Sequence, residues 1–219
     1  MRVMRSTLVS MEEHSMRIDG TEDPASWEKI YQTNDAGWDI GKPAPPFVTL
    51  LESSPDWLVP GTLAAIGAGR GHDANYFAEN AFQVTAIDFA PSAVQGIEKY
   101  AETTPSLTAH LGDVFSLPEA FHNSFDYVLE HTCFCAIPPE RRQDYATAVE
   151  EILKPNGILF GLFYRFDPAD DKGPPHSTSE EEVRSLFEDK FEIFIWETPK
   201  NSHGRRKQRE RLIAMRLKK

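Results

Sequence analysis

A short apolar run at residues 63–66 leads directly into Gly67-Ala68-Gly69-Arg70-Gly71, and a helical pattern follows from about residue 72 to 80. A second strand, residues 82–87, ends at Asp88, which lies 21 residues after Gly67. Glycines lack the Cβ that would keep a ligand away from the backbone, and they tolerate positive φ. An acid at that spacing stands where a ribose diol presents two hydroxyls, so the loop and Asp88 together point to an adenosine-containing ligand. The structural alternative is a tight turn followed by a helix-initiating acid. Either way, strand, glycine turn, helix, strand is the opening of a parallel βαβ unit, which leaves few architectures open.

The alternation continues downstream. Pro91 opens a helix on which Val94, Ile97 and Ala101 share a face, Leu107–Leu111 reads as a third strand ending at Gly112-Asp113, and residues 125–129 form a fourth ending near Glu130-His131. A helix from Pro139, with Tyr145, Val149, Ile152 and Leu153 inward, is expected to stop at Lys154-Pro155-Asn156-Gly157. Residues 158–163 are a fully apolar fifth strand, followed by a loop through Asp167, Asp170, Gly173, Pro174 and Pro175. Thr178 and Glu181 have the spacing of a capping box for a helix burying Val183, Leu186 and Phe187. Residues 191–196 and 211–217 close the chain as two strands joined by a basic loop without a crossover helix, which predicts an antiparallel pair. The expected fold is α/β: a doubly wound, Rossmann-like sheet, mostly parallel with an antiparallel C-terminal strand pair. Its ligand should lie beyond the carboxyl ends of the strands.

Upstream of the alternation, Trp27, Ile30 and Tyr31 stand at helical spacing, before Asn34-Asp35-Ala36-Gly37-Trp38 and a proline-rich turn at Pro43, Pro45 and Pro46. Residues 23–58 are expected to form an N-terminal flap, although their rings suit plain packing against the core equally well. Residues 1–22 lack apolar periodicity and are expected to be mobile, leaving 23–219 as a single domain.

Charge and composition narrow the partners. No apolar run approaches the ~18 to 20 residues of a membrane helix; the longest, residues 158–164, is broken by Gly161. Arg2, Arg5 and Arg17 are interrupted by Glu12 and Glu13 with no apolar h-region, so a cytoplasmic protein without a membrane partner is expected. A net charge of −11 repels polyanions and argues against nucleic acid. Residues 204–219 carry eight Lys/Arg and one acid, leaving 15 basic against 33 acidic side chains, a net −18, on the preceding 203 residues. That field suits a cationic small ligand, or simply solubility. Cys133 and Cys135, the only cysteines, would share one face of a strand without disulfide geometry, and two further zinc ligands at suitable spacing are lacking. Neither a disulfide nor a metal is expected, and small buried apolar roles account for both. No long apolar patch is evident, which favours a monomer.

Two more residues end strands on the same sheet edge: Asp113, which could receive an adenine amino group, and His131, placed for contact with ligand or substrate. Glu130 beside it would point away if the strand continues. Motifs recur along the rest of the chain: Trp27-Glu28-Lys29-Ile30-Tyr31, Gly37-Trp38-Asp39-Ile40-Gly41, Gly69-Arg70-Gly71-His72-Asp73, Phe134-Cys135-Ala136-Ile137, Leu153-Lys154-Pro155-Asn156-Gly157 and Gly173-Pro174-Pro175. With these residues, from about Trp27 to Leu217, the sequence resembles the thiopurine methyltransferase-like class of S-adenosylmethionine-dependent methyltransferases. Within that class it is most similar to the thiol, thiocyanate and halide methyltransferases of plants and bacteria. The resemblance implies a class I methyltransferase with S-adenosylmethionine as cofactor and S-adenosylhomocysteine as product. It maps cofactor contacts onto Trp27, Tyr31 and Trp38 in the flap and Gly67 and Gly69 in the loop. It further maps Asp88 to the ribose, Asp113 and Val114 to the adenine, and His131 to the methionyl end, and it counts Phe89 among the cofactor contacts. Tyr31 stands where the plant enzymes often have Trp, and His131 where Tyr or, in thiopurine enzymes, Arg is expected, which weakens a thiopurine assignment.

Those residue types suit methyl transfer. A sulfonium gains about 0.5 to 2 kcal/mol from each desolvated aromatic face, and Trp27, Tyr31 and Trp38 supply three. A thiol with a pKa of ~8.5 is already partly ionised near neutrality, and a halide or thiocyanate has no proton to lose, so in-line displacement needs proximity and dryness rather than a strong base. Tyr164, Arg165 and Phe134 are the candidates for the acceptor side; Tyr164, His131 and Tyr31 are expected to position the small-molecule acceptor. Arg205, Arg206 and Lys207 form a solvated loop or attract an anionic acceptor. Three alternatives stay open: a nicotinamide oxidoreductase, for which no hydride-transfer acid is recognisable, an O- or N-methyltransferase of a small metabolite, and a catalytically silent S-adenosylmethionine-binding protein.

Overall fold

The computed structural model describes residues 24–167 and 173–219. The expectations for residues 1–22 and for Asp170 lie outside the described residues. Seven strands form one sheet: β1 (Thr62–Ile66), β2 (Gln83–Asp88), β3 (Leu107–Leu111), β4 (Phe125–His131), β5 (Leu153–Tyr164), β6 (Phe191–Glu197) and β7 (Glu210–Leu217). Their order is β3-β2-β1-β4-β5-β7-β6. The first five are mutually parallel, and β7 runs antiparallel to both β5 and β6, as the crossover-free connection demands. The chain winds outward from β1 to β3 and then returns to β4, so the topological switch lies between β1 and β4, and their carboxyl ends frame the ligand crevice.

Strand alternation divides the core into two layers. Leu63, Ala65, Leu129, Phe160 and Leu162 face Phe47 of α2 (Pro45–Glu52) and Ala74 and Phe77 of α3 (His72–Glu79). Ile66, Val128, Leu159 and Phe163 face Tyr145 and Val149 of α5 (Arg142–Ile152) and Val183 and Phe187 of α6 (Glu180–Phe187). A third, smaller cluster joins Tyr31 of α1 (Pro24–Gln32) and Ala36 to Ala90 and Ala93 at the start of α4 (Pro91–Ala101). No helix among the described residues is long and apolar enough to cross a membrane.

Three local expectations change. The proline-rich turn is also a helix start: Pro45 and Pro46 occupy the first turn of α2, where a missing N–H costs nothing. Lys154-Pro155-Asn156-Gly157 does not separate α5 from the next strand. Leu153 already pairs with Phe125, the next pair is Ile158 with Tyr127, and the four residues bulge between them. The cap of α6 is one residue further on than expected: Ser179 accepts from the Glu182 backbone N–H at 3.1 Å. The Glu182 carboxylate is held by buried Arg142 at 2.6 and 2.7 Å, and that pair fixes the helix start.

Candidate active site

The glycine loop is shaped by what lies beneath it. Gly67 has φ +56°, and a Cβ there would come within 2.6 Å of the Cys133 Sγ. Gly71 (φ +84°) starts α3, and its Cβ would strike Ile97 at 2.9 Å. Between them the Gly69 N–H donates to Asp88 Oδ2 at 2.8 Å, while Oδ1 accepts from Ala90 N–H at 2.9 Å. Asp88 is only 7% exposed. Burial pushes its carboxyl up to about 6, against the pull of the Ala90 and Gly69 N–H groups.

The N-terminal segment closes over this loop. Trp38 meets the Trp27 and Tyr31 rings edge-on, at centroid distances of 5.3 and 5.8 Å. Glu28 accepts from the Ser92 N–H and hydroxyl at 2.8 and 2.6 Å, which caps the first turn of α4 and fastens α1 to it. Asp39 takes Arg70 at 3.2 Å and His72 at 3.0 Å. Arg70 also donates to the Tyr31 carbonyl at 3.1 Å and to Asn34 Oδ1 at 2.7 Å. The glycine-loop motif and the Gly37–Gly41 motif are thus two halves of one ionic contact. Asp39 sits below the usual carboxylate range: burial would raise it, but the His72, Gly41 and Arg70 contacts outweigh that.

At the far end of the cleft the β4 strand turns sharply at Thr132, which has φ +63°. His131 Nδ1 lies 2.5 Å from Asp73 Oδ2, and its Nε2 lies 2.5 Å from Arg206 Nη1. Arg206 Nη2 donates to the Trp38 carbonyl at 2.6 Å, and the whole side chain is 6% exposed. Tyr164, only 2% exposed, faces the cleft with a buried hydroxyl that has no hydrogen-bond partner among the described residues. Cys133 and Cys135 line the same space from the turn after β4, not from a strand. Burial keeps both thiols protonated, Cys135 pushed up to about 12 and Cys133 well above its ordinary value, so they offer polarisable surface rather than nucleophiles.

Two connected lobes result. One is lined by Trp27, Tyr31, Trp38, Gly67, Asp88, Phe89 and Tyr164 among others; the second adds Gly69, Asp73 and His131, and Arg206 borders both. Asp113 and Val114 line neither lobe. Asp113 caps the short 3-10 turn Val114–Ser116 by accepting from Phe115 N–H at 3.0 Å, while the adjacent Gly112 N–H donates to the Asp88 carbonyl at 3.0 Å. Two acceptor-side candidates are displaced. Phe134 is fully buried against Tyr145 and Phe163, on the opposite face of the sheet. Arg165 donates to the Pro175 carbonyl at 2.7 Å and pins the loop whose Pro174 and Pro175 wall the cleft. Glu130 points away from the cleft, as strand alternation required: fully buried, it accepts from Phe134 N–H and from the Tyr145 hydroxyl at 2.9 Å. Asp73 was missed by sequence reasoning, although it sits inside the glycine-loop motif. The sequence offers Arg206, with Arg205 and Lys207, as a draw for an anionic acceptor, and Arg206 does border the cleft; its pairing with His131 carried no local signal.

Comparison with known proteins agrees with this geometry. The family model described as Thiopurine S-methyltransferase (TPMT) matches residues 22–216. The chain is similar to thiocyanate methyltransferase 1 of Brassica oleracea, 32% identical over 176 residues, covering 78% of this chain and 75% of that one. It is likewise similar to thiocyanate methyltransferase 1 of Arabidopsis thaliana, 33% identical over 172 residues, with coverage of 75% and 72%. Among solved structures it shares the fold of the 1,6-didemethyltoxoflavin-N1-methyltransferase of Burkholderia thailandensis, bound to 1,6-didemethyltoxoflavin and S-adenosylhomocysteine. The TM-score is 0.70 at 18% identity, over 93% of this chain and 94% of that one. The chain therefore belongs to the thiopurine S-methyltransferase family, and with it to the class I methyltransferases that use S-adenosylmethionine.

Proposed function

We propose that this protein methylates a small, soft nucleophile: a thiol, bisulfide, thiocyanate, a halide or a selenium species. The observation that carries the reading is the far end of the cleft, where the Tyr164 hydroxyl, without a hydrogen-bond partner among the described residues, and the Arg206 guanidinium stand beside two protonated thiols. A hydroxyl donor, a fixed cation and polarisable sulfur favour an acceptor that is both anionic and soft.

The residues present fit the cofactor. Asp88 is placed for the ribose hydroxyls, the bare backbone at Gly67 admits close approach, and Trp27, Tyr31 and Trp38 offer faces and edges to a cation. When bound, S-adenosylmethionine supplies an electrophilic methyl group on a sulfonium sulfur. The chain's own contribution is positioning and exclusion of water. The cover is tied down by Glu28 and Asp39, and the proline loop closes the far side. Among the described groups lining the cleft, the oxygens of Asp88 and Asp73 accept backbone or imidazole N–H, and both ring nitrogens of His131 are engaged. None of these three is left free as a base, which suits acceptors that arrive deprotonated.

The test is turnover with iodide, thiocyanate, bisulfide and thiophenol alongside a catechol and an amine, with methyl products and S-adenosylhomocysteine quantified. Methylation of the sulfur and halide acceptors with little or none of the others is expected. Turnover confined to oxygen or nitrogen acceptors overturns the reading, as does cofactor binding without any turnover.

A further inference from the structure

We infer that Asp73 and His131 form a positioning relay that aims Arg206 at an anionic acceptor and couples that aim to closure of the aromatic cover. The inference rests on the proposed function for the acceptor's charge. Its geometry is independent of that reading.

A guanidinium has N–H donors and no acceptor, so at the 2.5 Å contact Arg206 donates and His131 Nε2 accepts. The imidazole proton must then sit on Nδ1, where Asp73 Oδ2 receives it at 2.5 Å. Asp73 is held in turn by the Ala44 N–H at 2.7 Å on its other oxygen. Burial would raise its carboxyl, but the His131, Ala44 and Arg206 contacts keep it below the usual range and ionised. The tautomer is thereby specified by the start of α3 and by the residue just ahead of α2. His131 itself is clamped edge-on against Phe47, with centroids 5.5 Å apart.

Arg206 reaches three places. Nη1 meets the end of β4, Nη2 holds the Trp38 carbonyl at 2.6 Å, and the group borders both lobes of the cleft. Two of its donor directions are committed to protein, which fixes the bearing of a guanidinium that borders both lobes and has further N–H donors to offer. Without an acceptor at Nε2 the guanidinium would lose one of its two anchors. His131 thus acts through Arg206 and is not a proton carrier for the reaction.

Asp73→Asn is the discriminating change, since it keeps the shape and can keep the Ala44 contact. Its amide can donate to Nδ1, and that drives the imidazole proton onto Nε2, where it opposes an Arg206 N–H. Long-range 15N NMR on the full chain assigns His131 among the seven histidines by its absence in His131→Gln. The expected wild-type spectrum has a protonated Nδ1 and an unprotonated Nε2, and Asp73→Asn reverses them. In steady-state kinetics with thiocyanate, Asp73→Asn and His131→Phe should each raise KM by about ten- to a hundredfold while kcat changes far less. His131→Gln returns a carbonyl acceptor within reach of Arg206 and should recover most of the loss.

Unchanged thiocyanate KM in both variants overturns the relay, and so does an Nε2–H tautomer in the wild type. A loss confined to the Kd for S-adenosylhomocysteine makes the relay a fastener of the cover alone and overturns the acceptor assignment. Wild-type protein that methylates no anion removes the relay's target and identifies the acceptor reading as the failure, whereas methylated anions with unmoved variants identify the relay as the failure.

Discussion

Asp88 joins the sequence pattern to the chemistry most directly. Its carboxyl is buried and titrates near 6, yet its oxygens are already satisfied by Gly69 and Ala90 N–H groups. Ribose hydroxyls would donate to the ionised form and pull its pKa back down, so binding below about pH 6 must displace a proton. S-adenosylhomocysteine affinity should therefore be flat above about pH 6 and fall by up to about tenfold per pH unit below it. Calorimetry between pH 5 and 8 measures this, and Asp88→Asn should bind more weakly with no such slope. An affinity that rises on acidification would remove Asp88 from the site. At this scale the sequence was a good guide wherever position along a strand dictates facing: Asp88 and His131 follow from alternation and strand ends. It was poor where a turn intervenes. Phe134 and Cys135 are neighbours after a left-handed Thr132, and only the structure shows that the ring goes into the core and the thiol into the cleft.

The cover is an element that cannot hold itself together, because α1 has only nine residues. It is retained by reciprocal contacts, Glu28 on the start of α4 and Arg70 on Asp39. Glu28→Ala removes the cap from α4 at a cost of about 1 kcal/mol and frees α1 at its middle. The expected result is a several-fold higher Kd for S-adenosylhomocysteine together with a slightly lower melting temperature. Lower stability with unchanged binding would show that Glu28 serves α4 alone. The strands and most helices were legible because their apolar periods are clean. The start of α2 was not, since Pro45 and Pro46 are as common in turns as in a first helical turn, and only Phe47 and Leu50 packing into the core decides between them.

For the molecule as a whole, two buried carboxyls set an unusual pH profile. Glu130 is pushed up to about 7 by burial, against the pull of the Phe134 N–H and the Tyr145 hydroxyl, and Asp88 to about 6. A carboxyl whose pKa rises on folding favours the folded state in its protonated form, so that stability is present in full below its unfolded value and is lost as pH rises through the folded value. Asp73, Asp39 and Asp126 are shifted down and lose their contribution only in stronger acid. Stability should peak in acid near pH 4 and decline from there to about pH 7. Glu130→Gln should flatten that decline by on the order of 2 to 3 kcal/mol, measured by denaturant unfolding across the range. An equal slope in both proteins would mean that Glu130 does not govern it. The basic stretch 204–219, which reads in the sequence as a solvated loop and closing strand, in fact delivers Arg206 to a partner 75 residues earlier, a relation that no local pattern encodes. Because β7 is not an edge but lies between β5 and β6, the sheet is interlocked there: β6 reaches it only through β7, and the same closing segment carries Arg206 to the cleft. Deleting residues 204–217 should therefore strip away an inner strand together with a wall of the chamber, and such shortened products are expected to be inert rather than partly active.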